Sequence, residues 1–362
     1  MKILHLETGR HLYGGARQVG YLLDGLEDFC VRNVLVCQQG SPLAARTNVD
    51  ACIEMPVKGD LDWSLNRRLR RIIREHKPEV VHVHSRRGAD IWGGRAARAE
   101  GVPALLTRRV DSTEPQFWLR WKLRPYSAVA AISRAVYAQM SPALRKGGRG
   151  NLVYSAVDTG LFRSDGGARE RLIERYGLPD DARIAGMSAQ FIARKGHDLL
   201  LPVASRVRKT VPGFRLLLFG QGPLREQLEH KVAAAGLEDV IHFCGWESDW
   251  PELLPGLEIL LHPARREGLG NVVLEAMASG VPVVASDVGG ITDPINLSVD
   301  GFLLPPDDVD GWSQAVVNLL GNKVERERLA RQARLTVERR FTIWNMATSY
   351  VCLYDDLRNN RV

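Results

Sequence analysis

The sequence predicts an α/β protein made of two Rossmann-like domains, and three observations carry that prediction. Apolar runs of strand length alternate with longer segments of helical periodicity, joined by glycine-bearing turns. The alternation relaxes in the charged, glycine-containing stretch 163–182 and restarts at ARIAGMSAQ. A chain of 362 residues is also long enough for two separate cores. The expected boundaries are a first domain at 1–165, a linker at 166–182, a second domain at 183–342 and a final helix at 343–362.

In the first domain, strand KILHLE leads into GRHLYGGARQVGYLLDGL, a turn followed by an amphipathic helix, with Gly14 and Gly15 at the junction. VRNVLVCQQG is a second strand. DLDWSLNRRLRRIIREHKP is a helix with Leu65, Leu69, Ile72 and Ile73 on one face and Arg67, Arg68, Arg70, Arg71 and Arg74 on the rest. That basic face suits either solvent or anionic headgroups. Asp60-Leu61-Asp62 opens the helix and reads as capping. EVVHVHSRRGAD is a strand whose alternation puts His82 and His84 on one side of the sheet; no third ligand stands at suitable spacing, so no metal is predicted. After strand VPALLT come Arg108, Arg109 and Asp111, then Phe117, Trp118 and Trp121 interleaved with Arg120, Lys122 and Arg124. This mixture fits a membrane interface or packing against a neighbouring helix. AVAAIS and NLVYS are further strands.

The second domain begins with strand ARIAGMSAQ and the turn and helix FIARKGHDLLLPVASRVR, which carry Arg194 and Lys195. FRLLLFG is a strand followed by QGPLREQLEH. Its FGQGP does not make a dinucleotide fingerprint, because Arg225 stands where a third glycine is needed. VIHFCGW is a short strand ending in Gly245 and Trp246. LEILLHP and VPVVAS then flank EGLGNVVLEAMASG, residues 267 to 280. Gly268 and Gly270, either side of Leu269, allow the backbone to approach a ligand, and the amides of Asn271, Val272 and Val273 at the helix start favour an anion. Glu267 and Glu275 would oppose phosphate alone. Together they point to a ligand with hydroxyls as well as phosphate, such as a sugar nucleotide. FTIWNMATSYVCLYDDL closes the sequence with helical spacing.

Composition narrows the partners. A 45% hydrophobic and 25% charged content describes an ordinary globular protein, and the net charge of +7 asks for nucleic acid, an anionic membrane surface or a phosphorylated ligand. Five scattered cysteines point to buried, reduced thiols. With no apolar run near 18 residues and no signal-like opening, a cytoplasmic protein is expected.

EGLGNVVLE resembles the E-x7-E signature of retaining glycosyltransferases of the GT-B fold, and the surrounding sequence is similar to family 4. The resemblance spans nearly the full length and is most specific from 183 to 306. It implies two Rossmann-like domains facing a central cleft, with a C-terminal helix crossing back to the first. It also implies a nucleotide diphosphate sugar donor held by the second domain. Arg194 and Lys195 would clamp the diphosphate, Glu275 the ribose, and Gly245 and Trp246 would border the base. Glu267, with Gly268, Leu269, Gly270, Asn271 and Val272, would orient the sugar, and Gly14 and Gly15 would lie against the diphosphate. Glu267, Arg194 and Lys195 would carry catalysis without metal or cofactor. The acceptor would meet His84, Ser85, Arg108, Arg109 and Asp111, the two arginines standing where many relatives have a histidine. Gln190 likewise stands where relatives often have arginine. The implied acceptor is a lipid-linked or envelope glycan, such as a lipopolysaccharide core, capsule or exopolysaccharide precursor, reached from the cytosolic face of an anionic inner membrane. A sugar-nucleotide epimerase on the same fold is an alternative. A nucleic-acid-binding protein explains the charge but leaves Glu267 and Glu275 without a purpose.

Overall fold

Near-continuous apolar strands such as Val34-Leu35-Val36-Cys37 can be buried on both faces, and parallel sheets covered by helices use strands of that kind. The computed structural model describes residues 1–11, 14–45, 48–86, 88–109 and 114–359. Among them the chain forms two units, Met1–Ala156 with Ile343–Val362, and Val157–Thr342.

The first unit runs β1 (Lys2–Glu7), α1 (Gly14–Leu26), β2 (Arg32–Gln38), β3 (Ala51–Met55), α2 (Trp63–His76), β4 (Val80–Val83), α3 (Ala89–Ala99), β5 (Ala104–Arg108), α4 (Gln116–Leu123), β6 (Ala128–Ala131), α5 (Arg134–Ala138), α6 (Pro142–Lys146) and β7 (Gly150–Leu152). Its strands are parallel in the order β3-β2-β1-β4-β5-β6-β7. Strand order reverses between β1 and β4, so the crevice beyond their carboxyl ends is where such a sheet offers a ligand site.

The second unit runs α7 (Ala168–Tyr176), β8 (Arg183–Ser188), α8 (His197–Thr210), β9 (Phe214–Phe219), α9 (Arg225–Ala234), β10 (Ile241–Gly245), α10 (Trp250–Leu253), β11 (Ile259–His262), α11 (Asn271–Ala278), β12 (Val283–Ser286), β13 (Phe302–Leu304), α12 (Val309–Gly321) and α13 (Lys323–Arg340). Its parallel sheet has the order β10-β9-β8-β11-β12-β13, with the corresponding reversal between β8 and β11. Leu200, Ala204, Leu216, Leu261 and Trp312 lie in one core cluster between the sheet and its helices.

The linker expected at 166–182 is replaced by α7. Ala168 and Leu172 are fully buried within the second unit, and a single apolar anchor per turn was obscured by the surrounding Arg and Glu residues. The passage between units instead falls at 156–157. Gln18 grips both backbone groups of Ala156, at 2.8 and 2.6 Å, while the Val157 amide donates to Phe341 O at 2.9 Å.

The last helix, α14 (Ile343–Arg358), belongs to the first unit and covers a face of its sheet. Met346, Tyr350 and Tyr354 share a core cluster with Ile3, Val80 and Leu105. The helix comes so close to α1 that a Cβ on Gly25 would sit 2.8 Å from Ile343 and 2.9 Å from Ala347. Two sequence expectations shift in detail. Cys30, Cys52 and Cys352 are exposed, so free thiols are present but only Cys37 is buried. Asp62 holds the N-cap position of α2, yet its carboxylate accepts from Lys58 N, Ser64 Oγ and Arg68 rather than from a helix amide.

Candidate active site

In the second unit the site forms around the exit of β11. A single tight turn, Ala193–Lys195, follows β8 and ends at Gly196, whose φ is +73°. A Cβ there would lie 1.9 Å from Pro263 O, so only glycine fits, and the close approach sets Lys195 beside the β11 exit. The Lys195 ammonium pairs with Glu267 Oε2, and His262 Nε2 donates to the same oxygen at 3.3 Å. Arg194 stands 4.0 Å from Oε1, which also accepts from the Gly268 amide at 3.1 Å. Burial opposes the charge on Glu267, but the His262 hydrogen bond and the Lys195 ammonium outweigh it and hold the carboxyl far below its ordinary range. Burial lowers His262 in turn and keeps its imidazole neutral. The result is a fixed carboxylate beside two cations, able to orient hydroxyls and to yield its counter-charges to an arriving phosphate.

Gly270, at φ +85°, turns the chain into α11. The Val273 amide donates to Gly270 O at 2.9 Å, so the expected row of three open amides loses its third member. Leu269 is buried beneath the turn, and Asn271 and Val272 form the first turn of α11. Glu275, buried on this helix, accepts from Trp250 Nε1 at 3.0 Å. Gly245 closes β10 and accepts from the Gly220 amide at 2.7 Å; the Trp246 side chain is exposed.

In the first unit the predicted residues gather at the ends of β1, β4 and β5. His84 is buried: its Nε2 meets His5 Nδ1 at 3.0 Å and its Nδ1 meets Arg109 Nη2 at 3.4 Å. Ser85 Oγ is 2.7 Å from the Thr8 amide and 2.9 Å from Thr8 Oγ1, tying β1 to β4. Both are thus held by hydrogen bonds within the unit, His84 buried and Ser85 half-buried. Arg108 is buried, and burial lowers its pKa although Glu114 opposes the shift. Gly15 lies against Arg109, its would-be Cβ 3.6 Å from Arg109 Cδ, and Gly14 opens α1. Asp111 lies outside the described residues.

A third imidazole does join His82 and His84. It is His5 on β1, 77 positions upstream of His82, and one ring nitrogen from each of the three lies within 4.8 Å of the other two. Each nitrogen already has a partner: His5 Nε2 meets Asn33 Oδ1 at 3.1 Å, and His82 meets Tyr354 OH at 2.6 Å and Thr107 Oγ1 at 2.7 Å. Burial depresses all three, His5 to about 4, so they form a neutral hydrogen-bonded cluster.

Family models for glycosyl transferases group 1 and glycosyltransferase family 4 match residues 168–336 and 13–161. The chain is a family 4 glycosyltransferase of the GT-B fold. It is 28% identical over 276 residues to a GDP-mannose-dependent α-(1-6)-phosphatidylinositol monomannoside mannosyltransferase of Mycolicibacterium smegmatis, spanning 70% of each chain. It is 27% identical over 175 residues to the lipopolysaccharide core biosynthesis glycosyltransferase LpsE of Rhizobium meliloti, spanning 48% of this chain and 50% of that one. The fold is shared with Anabaena HepE, solved in complex with UDP, at a TM-score of 0.84, 19% identity and coverage of 98% and 100%.

The glycosyltransferase carries two contributors that sequence reading did not assign. His262 has a visible signal, a titratable residue closing a buried strand five positions before Glu267. His5 has only its position between Leu4 and Leu6 in a buried strand. One residue moves the other way: Lys122, read with the surface aromatics, is buried between Asp90 at 3.0 Å and Glu114 at 2.5 Å. The aromatics themselves are on the surface. Phe117 is 76% and Trp63 72% exposed, and Trp118 stacks on Trp121 at 4.7 Å with the Arg95 guanidinium 3.6 Å from the Trp121 ring centre. On α2, Arg68 pairs with Asp62, and Arg70 and Arg74 share Glu100, which leaves Arg67 and Arg71 as its exposed cations without a described ion pair. Among the described residues no helix is long and apolar enough to cross a membrane.

Proposed function

We propose that this glycosyltransferase moves a sugar, with retention of anomeric configuration and without a metal, from a nucleotide diphosphate sugar to a lipid-linked or cell-envelope glycan. The observation that carries the reading is Glu267 held between Lys195, Arg194 and His262 at the β11 exit, one helix turn from the α11 residues leading to Glu275. Lys195 and Arg194 transfer their charge from Glu267 to the donor diphosphate. Fixed cations there offset the charge that builds on the leaving phosphate, where catalysis gains most. Glu275 accepts from ribose hydroxyls, Gly245 and Trp246 border the base, and Glu267 with the 268–272 backbone positions the sugar. The bond from the anomeric carbon to phosphate breaks as the acceptor oxygen bonds on the same face. The acceptor's proton passes to the departing phosphate oxygen, so no protein base is required.

The first unit takes the acceptor. Its exposed Trp63, Phe117, Trp118 and Trp121, with Arg67 and Arg71, support docking on an anionic inner-membrane surface from the cytosolic side. The mannosyltransferase and LpsE relatives are named for a glycolipid and a lipopolysaccharide core, which favours an acceptor of that class, with capsule or exopolysaccharide precursors as close chemical kin.

The deciding experiment is thermal stabilisation by uridine, guanosine, adenosine and cytidine diphosphates and their sugars, with chelator present. Saturation at a hundredfold over Kd adds about 2.7 kcal/mol. One nucleotide should stabilise the wild type and not Glu275→Ala. A shift that requires metal would remove the metal-free mechanism, and no shift with any nucleotide would remove the donor site. The anomeric configuration of the product, read by proton NMR, tests retention.

A further inference from the structure

We propose that Arg109 is an oxyanion-binding residue, taking a phosphate or carboxylate group at the carboxyl ends of β1, β4 and β5 beside the first turn of α1. The inference rests on the reading of the first unit as the acceptor side and names the chemistry that side can recognise.

A guanidinium has five N–H donors and accepts nothing. Arg109 Nε and Nη1 are each buried without a hydrogen-bond partner among the described residues, and Nη2 meets His84 Nδ1 at 3.4 Å. Buried unpaired donors are costly, and a charged group more so, which makes an unfilled guanidinium a feature requiring a partner. Among the described residues no carboxylate forms an ion pair with it. The acid whose charge it senses, Glu7, is buried, accepts from the Gly9 amide at 2.8 Å, and forms no ion pair with Arg109. The imidazoles cannot serve either, because their tautomers are dictated by Arg109 itself. Arg109 must donate, so His84 Nδ1 accepts; His84 Nε2 then carries the proton and donates to His5 Nδ1 at 3.0 Å, and His5 Nε2–H donates to Asn33 Oδ1 at 3.1 Å. This relay of neutral groups orients the guanidinium and supplies no counter-charge to it.

The surroundings favour an anion that accepts two hydrogen bonds side by side. Gly15 presents no side chain to Arg109, and the start of α1 adds the positive end of a helix dipole. A guanidinium fork matches phosphate and carboxylate oxygens two at a time, which lysine cannot do. Such a group has two sources here: the donor diphosphate, or an acidic substituent on the acceptor.

Both are separable with full-length protein. In nitrogen-15-labelled enzyme the Arg109 Nε–Hε signal is identified by its absence from Arg109→Lys, a variant that keeps the charge if Arg109→Gln does not fold. Inorganic phosphate, and glucuronate as a carboxylate probe, should move that signal in the wild type. If neither moves it, the proposal is overturned. UDP and GDP titrated calorimetrically into wild type, Arg109→Gln and Arg109→Lys then name the source. About a tenfold loss of nucleotide affinity assigns the anion to the donor; unchanged nucleotide affinity with a phosphate- or glucuronate-sensitive Arg109 signal assigns it to the acceptor. Lys195→Ala keeps the two readings apart, since full nucleotide affinity in that variant would sink the donor site while leaving the Arg109 response standing.

Discussion

Glu267 is held by Lys195, Arg194, His262 and the Gly268 amide, and its state is set by these neighbours rather than by its own chemistry. Removing Lys195 takes away one of the two attractions that overcome its burial, so its pKa must rise. Lys195→Ala is therefore expected to lower kcat by roughly a hundredfold, through the lost phosphate cation, and to move the acid limb of the pH–rate profile to higher pH. A reduced kcat with a fixed acid limb would mean that the ion pair does not govern Glu267. Glu275→Ala should weaken nucleotide binding and also orphan the Trp250 indole N–H, costing about 1 kcal/mol of stability in a denaturant melt. At this scale the legible residues were those whose partners are close in sequence or signalled by a motif: Glu267, Gly268 to Gly270, Glu275, and the Arg194–Lys195 pair. The burial of Lys122 was not legible because it takes two carboxylates at once, Glu114 eight positions before it and Asp90 32 positions before it on α3, and no local pattern pairs them. His5 escaped notice because its meeting with His84 depends on the register of β1 against β4.

The elements follow the sequence wherever a strand is buried on both faces or a helix has a sustained apolar stripe; α2 and α11 are of this kind. The edge strand β3 was not anticipated, since it is only five residues long at the sheet margin and just three of them are buried or half-buried. Helix α7 was lost among charges. The α1–α14 contact gives a sharp test of element packing. Gly25→Val forces a side chain into Ile343 and Ala347 and should destabilise the first unit by about 1–3 kcal/mol, read as a lower Tm; an unchanged Tm would show that α14 can lift away without loss. The buried imidazoles joining β1, β4 and α14 add a pH dependence. The folded pKa of His5, about 4, lies below its unfolded value of 6.5, so its contribution is complete above pH 6.5 and disappears as pH falls towards 4. Differential melting between pH 7 and pH 4.5 should show a loss of stability that His5→Asn reduces.

At the scale of the whole molecule, two Rossmann-like units were legible from the restart of the βα alternation, whereas the crossing point was not. It is marked by Gln18 holding Ala156, two residues whose relation no periodicity reveals. The chain crosses between its units at 156–157 and again at 342–343. Ending the chain at Thr342 removes Tyr350 and Tyr354 from Thr107 and His82 and uncovers Ile3, Val80 and Leu105, but takes nothing from the second unit. In hydrogen exchange, peptides from 1–156 should lose protection in that variant while those from 157–342 keep it; equal loss in both would refute the division. The same feature sets an order for biosynthesis. Residues 157–342 have every element of their unit on leaving the ribosome, while residues 1–156 must wait for α14, which is made after both. At roughly 5–20 residues per second the wait is about 10 to 40 seconds, during which apolar sheet surface stands open to chaperones, so the later-made half is the one able to finish folding first.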